Sequence, residues 1–204
     1  MNTDQNPHAH TEDFLAETAK GDEGSGHWEP LPDGPAWSDA EGWDQPQYYT
    51  TIQTADIDGD GKAELIARAA AGIVISKYDP DTHTWHSLPD GPAWSDAEGW
   101  NQPQYYTTIQ TADIDIDDNG NGKGKAELIA RAAAGIVISQ YDPDTRTWHS
   151  LPDGPAWNDT GNWNQPQYYT TIQTADIDGD HAAELIARAA AGITGFKYIP
   201  AALQ

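Results

Sequence analysis

Tyr48-Tyr-Thr-Thr-Ile-Gln-Thr-Ala-Asp-Ile-Asp-Gly-Asp-Gly-Lys-Ala-Glu-Leu-Ile-Ala-Arg-Ala-Ala-Ala-Gly-Ile73 holds most of what the chain says about its architecture. Tyr48–Ala55 is aromatic and β-branched, which predicts a strand. Gly72–Tyr78 predicts a second, Asp79-Pro-Asp-Thr a turn with proline in its second position, and Thr84–Leu88 the returning hairpin partner. Ala63–Ala71 points both ways. Its composition is helical, with Gly72 placed as a stop, yet it is short and wedged between strands. Read as strand, it gives four strands in about 57 residues, the size of a propeller blade. Read as helix, it gives an α/β repeat with no evident way to stack.

The stretch occurs three times. QPQYYTTIQTADID recurs unchanged at Gln45–Asp58, Gln102–Asp115 and Gln165–Asp178, and AELIARAAAGI follows from Ala63, Ala126 and Ala183. LPDGPAWSDAEGW stands at Leu31–Trp43 and Leu88–Trp100, with a variant at Leu151–Trp163. Trp28, Trp85 and Trp148 mark the phase at spacings of 57 and 63 residues, the difference being one insertion within Ile116–Lys125. Repeats therefore fill 27–83, 84–146 and 147–204, behind an acidic segment, 1–26, that reads as a mostly flexible tail in which Thr11–Lys20 can form a short capped helix.

Thirty-three acids against ten bases leave a formal charge of −23. That argues against a nucleic-acid partner and against adsorption to an anionic membrane, and suits a binder of hard cations. With no cysteine there is no disulfide framework, thiol nucleophile or zinc–thiolate site. No apolar run approaches a membrane span, and MNTDQNPHAHTEDF lacks the profile of a classical export signal, so the compartment stays open.

Asp56-Ile-Asp-Gly-Asp-Gly-Lys-Ala-Glu64 carries the most specific chemistry. Asp56, Asp58 and Asp60 alternate so that their carboxylates converge when the chain curls. Gly59 and Gly61 permit the curl, a backbone carbonyl near Lys62 adds an oxygen, and Glu64 closes the shell. Oxygen-only ligands favour Ca²⁺. The third copy keeps Asp176, Asp178, Asp180 and Glu184, with Ala182 in the carbonyl place and His181 where the second glycine stood. The second, stretched by the insertion, keeps Asp113, Asp115 and Glu127 and offers Asp117, Asn119 and Asn121 as further oxygens.

On these residues the chain resembles the FG-GAP or VCBS calcium-loop β-propellers, and YYTTIQTADIDGDGKAELIARAAAGI is most similar in pattern to lectins of the Psathyrella velutina type. The resemblance covers the three repeats. It implies an all-β propeller of four-stranded blades with an ion in the loop between the first two strands, and it resolves Ala63–Ala71 as strand. Three blades are too few to close a ring. His27–Leu31 matches the last-strand motif Thr84–Leu88 without a blade in front of it, and Gly192–Tyr198 is a third strand with no such motif after it. A homodimer of six blades, each start segment completing the other copy's last blade, is the expected closure; a trimer or a longer propeller is the alternative.

Carbohydrate binding leads the functional expectations. Nine Trp and nine Tyr against two Phe suit surfaces where flat rings meet polar ligands. The candidate ligand residues are Trp37, Trp43, Tyr48, Tyr49 and Arg68, with Gln47 and Asp39 beside them. Their counterparts are Trp94, Trp100, Tyr105, Tyr106 and Arg131, then Trp157, Trp163, Tyr168, Tyr169 and Arg188. Each arginine is the only base in an apolar segment, so a structural pairing with the next blade's aspartate competes with a ligand role. An integrin-like adhesion module with purely structural calcium is the rival. An enzyme is disfavoured, because polar groups are copied threefold rather than gathered in one unequal constellation. His86 and His149 are replaced by Glu29 in the first repeat, and no GxSxG, HExxH or phosphate loop occurs.

Overall fold

A computed structural model describes residues 26–116 and 122–200. Each repeat forms one antiparallel sheet with its strands in chain order. The first holds β1 (Gln53–Ala55), β2 (Glu64–Ala69), β3 (Gly72–Asp79) and β4 (Thr84–Ser87). The second holds β5 (Gln110–Ala112), β6 (Glu127–Ala132), β7 (Gly135–Asp142) and β8 (Thr147–Ser150). The third holds β9 (Gln173–Ala175), β10 (Glu184–Ala189) and β11 (Gly192–Phe196). The chain is all-β and propeller-like, and no helix among the described residues is long and apolar enough to cross a membrane.

Ala63–Ala71 is strand over Glu64–Ala69, as β2, and Ala70–Ala71 turn the chain into β3. Ile66, Ala67 and Arg68 are all buried although their side chains alternate between faces, so β2 is covered on both sides. A strand buried on both faces needs a continuous small and apolar run, and that is what makes the segment look helical in isolation. Gly72 lies at φ 141°, and a Cβ there would meet the Pro92 carbonyl oxygen at 2.7 Å. The glycine lets the linker to the next repeat press on the β2–β3 turn.

Tyr48–Ala55 is strand only over Gln53–Ala55. Pro46–Tyr49 is a single helical turn (α1), repeated as α2 (Pro103–Tyr106) and α3 (Pro166–Tyr169). Proline at the first helical position has no N–H to waste and a preset φ. The Thr50 hydroxyl donates to Pro46 O (2.6 Å) and the Thr51 hydroxyl to Tyr48 O (2.7 Å), closing the turn locally. These hydroxyl bonds outweigh the strand propensity of the run.

The cores lie between sheets. Ile57, Ile66, Ile73 and Ile75 of the first pack against Trp94, Trp100 and Leu128 of the second. Ile114, Ile129, Ile136 and Ile138 of the second pack in the same way against Trp157, Ile172 and Leu185 of the third. At about 1.5–3 kcal/mol for each fully buried aliphatic side chain, these faces supply most of the cohesion. Hydrogen bonds cross the innermost strands, Thr111 Oγ1 to Gln53 Oε1 (3.1 Å) and Thr174 Oγ1 to Gln110 Oε1 (3.0 Å).

Gly34–Gln204 forms one compact unit, and Met1–Asp33 is assigned to another. Within the latter, residues 26–33 carry no regular secondary structure, His27 and Glu29 hydrogen-bond (3.1 Å), and Trp28 is 94% exposed. His27–Leu31 joins no sheet here. In the other repeats this motif pairs with a preceding third strand, and no strand precedes it among the described residues. The expected helix Thr11–Lys20 lies outside the described residues.

Candidate functional site

The acidic loops are built by their own backbone. Asp56 takes the N–H groups of Gly59 and Gly61 on its two oxygens (both 2.7 Å), Asp58 that of Asp60 (3.2 Å) and Asp60 that of Lys62 (3.0 Å). Gly59 and Gly61 stand at φ 80° and 85°, the left-handed region that the curl requires. His181 adopts φ 71° at the place of Gly61 and still donates its N–H to Asp176 (3.0 Å), so the third loop keeps the same path. Gly179 and Ala182 likewise bind Asp176 and Asp180 (2.7 and 3.1 Å).

Glu64 enters from the start of β2, fully buried, with Oε2 accepting from Ile57 N (3.0 Å) and Oε1 left without a hydrogen bond. Burial raises its pKa. Asp56, Asp58 and Glu64 bring carboxylate oxygens within 4.8 Å of one another, as do Asp176, Asp178 and Glu184, where Glu184 Oε1 is also orphaned. Either cluster can hold a metal ion. Clustered carboxylates with no nitrogen or sulfur ligand, and buried Glu64 and Glu184 oxygens that make no hydrogen bond and face a lysine ammonium at 3.2 and 3.7 Å, fit a hard cation.

The structure adds one group that the sequence did not flag. Lys77 of β3 reaches into the first cluster, its Nζ lying 2.5 Å from Asp58, 2.9 Å from Asp60 and 3.2 Å from Glu64. Burial opposes its charge, but the three carboxylates prevail and hold the ammonium above the usual lysine range. Lys197 does the same in the third loop, 2.5 Å from both Asp178 and Asp180. The only signal in the sequence is a long hydrogen-bond donor at this strand position in every repeat, Lys77, Gln140 and Lys197.

The second loop differs. Asp117, Asn119 and Asn121 lie outside the described residues. Lys123, from the insertion, pairs with Asp115 at 2.7 Å, and Gln140 donates to Glu127 (2.7 Å) and Asp115 (3.4 Å). Gly124 N donates to Asp113, whose pKa is raised by burial, and burial pushes the Glu127 carboxyl up to about 7. Asp113 Oδ1 and Asp115 Oδ1 are buried without a hydrogen-bond partner. The loops are also chained together, Ala126 N donating to Asp56 O and Ala183 N to Asp113 O, both at 2.7 Å.

The aromatic candidates assemble at the junctions between repeats. Trp37 and Trp43 stack at 4.7 Å, Tyr48 tilts against Trp43 at 6.0 Å, and Arg68 lies 5.7 Å over the Tyr48 ring. Trp94, Trp100, Tyr105 and Arg131 repeat the set, as do Trp157, Trp163, Tyr168 and Arg188. Trp94, Trp100, Tyr105 and Trp157 are buried, while Trp37, Trp43, Tyr48, Trp163 and Tyr168 are half-buried. Tyr49, Tyr106 and Tyr169 stand outside the stacks, the first exposed and the other two leaning on the cores.

Arg68 has a fully buried side chain. It donates Nε to Trp94 O (2.7 Å) and Nη1 to Gln47 O (3.4 Å), and Nη2 pairs with Asp96 of the next repeat. The Tyr48 hydroxyl donates to the other oxygen of Asp96 (2.5 Å); that bond, then burial, raises its pKa. Arg131, Asp159 and Tyr105 repeat this pattern. Arg68 and Arg131 are thus clamps between sheets. Arg188 is exposed, its Nη1 3.5 Å from Gln167 O, and has no carboxylate partner among the described residues.

No family model matches the chain, and no curated protein matches it. The FG-GAP or VCBS resemblance therefore rests on the loop motif. Among solved structures the chain is similar, at 18% identity and a TM-score of 0.54, to one described as the structural basis of specific recognition of non-reducing terminal N-acetylglucosamine by an Agrocybe aegerita lectin. The match covers 70% of this chain and 33% of that one, so this chain corresponds to about a third of its length. The likeness is one of fold.

Proposed function

We propose that this chain is a calcium-binding β-propeller lectin that holds glycans multivalently at sites between its blades. The observation that carries the reading is the recurrence of one aromatic–arginine junction on a fold shared with a lectin described as recognising terminal N-acetylglucosamine. The half-buried rings Tyr106, Tyr169 and Trp163 offer faces to sugar C–H surfaces. The buried members Trp94, Trp100, Tyr105 and Trp157, with the clamped Arg68 and Arg131, support those faces from below. Trp37, Trp43, Tyr48, Tyr49, Tyr168 and Arg188 are the corresponding groups of the outer repeats, exposed or half-buried.

Calcium would be held by Asp56, Asp58, Asp60 and Glu64 with the Lys62 carbonyl, and by Asp176, Asp178, Asp180 and Glu184 with that of Ala182. At the second loop it would use Asp113, Asp115 and Glu127, joined by Asp117, Asn119 and Asn121. Bound there, the ion supplies positive charge that neutralises the clustered carboxylates and fixes the loops. Two copies close a six-bladed homodimer in which each His27–Leu31 completes the partner's last blade. Replicated weak sites on one ring gain avidity for multivalent glycans.

Burial of the stacked tryptophans gives those rings a structural task as well. That favours, as the second reading, a protein-binding adhesion module with structural calcium. Retention on immobilised N-acetylglucosamine decides between them. Elution by the free monosaccharide supports the lectin, and passage of folded protein through the column supports the adhesion module.

A further inference from the structure

The two internal junctions follow one plan. Gly91 N donates to Ile73 O (2.9 Å) and Ile73 N to Pro92 O (3.1 Å); Gly154, Ile136 and Pro155 repeat this at 3.0 and 3.1 Å. Asp96 N and Asp159 N then donate to the turn carbonyls Ala70 O and Ala133 O (2.9 and 3.0 Å), and the aspartate carboxylates clamp Arg68 and Arg131. Among the described residues nothing equivalent covers this surface on the third sheet. Ile193 is 76% exposed where Ile73 and Ile136 are buried, a Cβ at Gly192 would meet open space, and no described carboxylate pairs with Arg188. The complementary half is carried by the first repeat. Gly34, Pro35 and Asp39 hold there the places of Gly91, Pro92 and Asp96, and Asp39 is exposed with no cationic partner among the described residues.

A second mark is independent of charge. A cleft of about 410 Å³ opens between the second and third sheets, lined in part by Ile136, Gly154, Leu185 and Tyr198. At the preceding junction the equivalent position is occupied by Trp148. Its ring lies 5.3 Å from that of Tyr141, and its Cε2 lies 3.6 Å from where a Cβ on Gly91 would stand. Tyr198 and Gly154 correspond to Tyr141 and Gly91, but the third sheet brings no tryptophan to the cleft. The remaining tryptophan in that phase is Trp28, almost fully exposed.

We propose that a second copy of this chain docks on the third sheet, pairing its Asp39 with Arg188 and seating its Trp28 in the cleft. The proposal rests on the two-copy ring above and specifies its seam. Exposed apolar side chains beside an unpaired guanidinium, matched in register by an unpaired carboxylate and a free indole, fit a copy of the same chain. Reciprocal docking produces two identical seams, each a replica of the internal junctions, and leaves no open blade.

Charge reversal tests it. The parent is expected at twice the 22.2 kDa chain mass by native mass spectrometry. Asp39→Arg sets two cations against each other at both seams, and Arg188→Glu sets two anions; each alone is expected at the mass of one chain. Mixed in equal amounts they regain one native and one swapped pair, so the double mass returns. A three-copy ring cannot alternate, and a triple mass without rescue overturns the proposal. Both positions are exposed in the single chain, and circular dichroism verifies that each variant folds. Trp28→Ala is the charge-free check, expected to raise the dissociation constant at least roughly tenfold. A parent mass of one chain overturns both ring and seam. Double mass with every variant silent overturns the seam and leaves the ring standing.

Discussion

Replacing Asp159 by alanine should unclamp the second junction. The Arg131 side chain is fully buried, and among the described residues its charge is answered by Asp159 alone, while its other donors reach the carbonyls of Trp157 (2.7 Å) and Gln104 (3.3 Å). Asp159 also accepts from the Tyr105 hydroxyl at 2.7 Å, so one substitution strands two donors. Removing one partner of a buried pair costs about 3–5 kcal/mol. Because the Asp159 side chain is 32% exposed, the lower end, about 3 kcal/mol, is expected. At this chain length each kcal/mol lowers the melting temperature by about 2–4 °C, which gives a drop of about 6–12 °C. Asp144→Ala is the control: it removes the same charge from a chain of net −23, at an exposed turn, with an expected cost below about 0.5 kcal/mol. Urea melts followed by circular dichroism read both. An Asp159→Ala protein within about 1 kcal/mol of the control would refute the clamp.

Calcium at a hundredfold excess over its dissociation constant should stabilise the protein by about 2.7 kcal/mol for each loop that binds it, raising the melting temperature, with chelation reversing it; Glu64→Gln together with Glu184→Gln should blunt the response. Lys77→Met removes the ammonium that competes for Asp58, Asp60 and Glu64, so calorimetry should show calcium bound to the first loop roughly tenfold or more tightly; unchanged affinity counts against that competition. In chelated protein Glu127 titrates near 7 when folded and 4.5 when unfolded. Its folded pKa is the raised one, so its contribution is fully present below about pH 4.5 and is lost as pH rises to about 7, at a slope of at most about 1.4 kcal/mol per pH unit. Glu127→Gln should remove that slope from melts across the window.

Much of the architecture was legible because it is local. The repeats, the β3–β4 hairpin and the carboxylate loops follow from patterns a few residues long, and the left-handed path of Gly61 is reproduced at His181. β2 was not legible from residues alone, since burial on both faces removes the alternation that marks a strand; the family resemblance supplied it. Tyr48–Thr51 was misread as strand because propensity does not register a proline-initiated turn closed by threonine hydroxyls. Pairing of Arg68 with the next repeat's aspartate was foreseeable from its charge in an apolar run. The reach of Lys77 into the loop depends on the register of β3 against β2 (Leu65 opposite Ser76), and the loop sequence does not encode that.

The central claim is a calcium-supported lectin, and a glycan array run in calcium and again after chelation tests it most directly. The account predicts saturable binding to glycans of one terminal sugar class, competed by the free sugar and lost on chelation. A blank array, from protein shown to be folded and calcium-loaded, contradicts it.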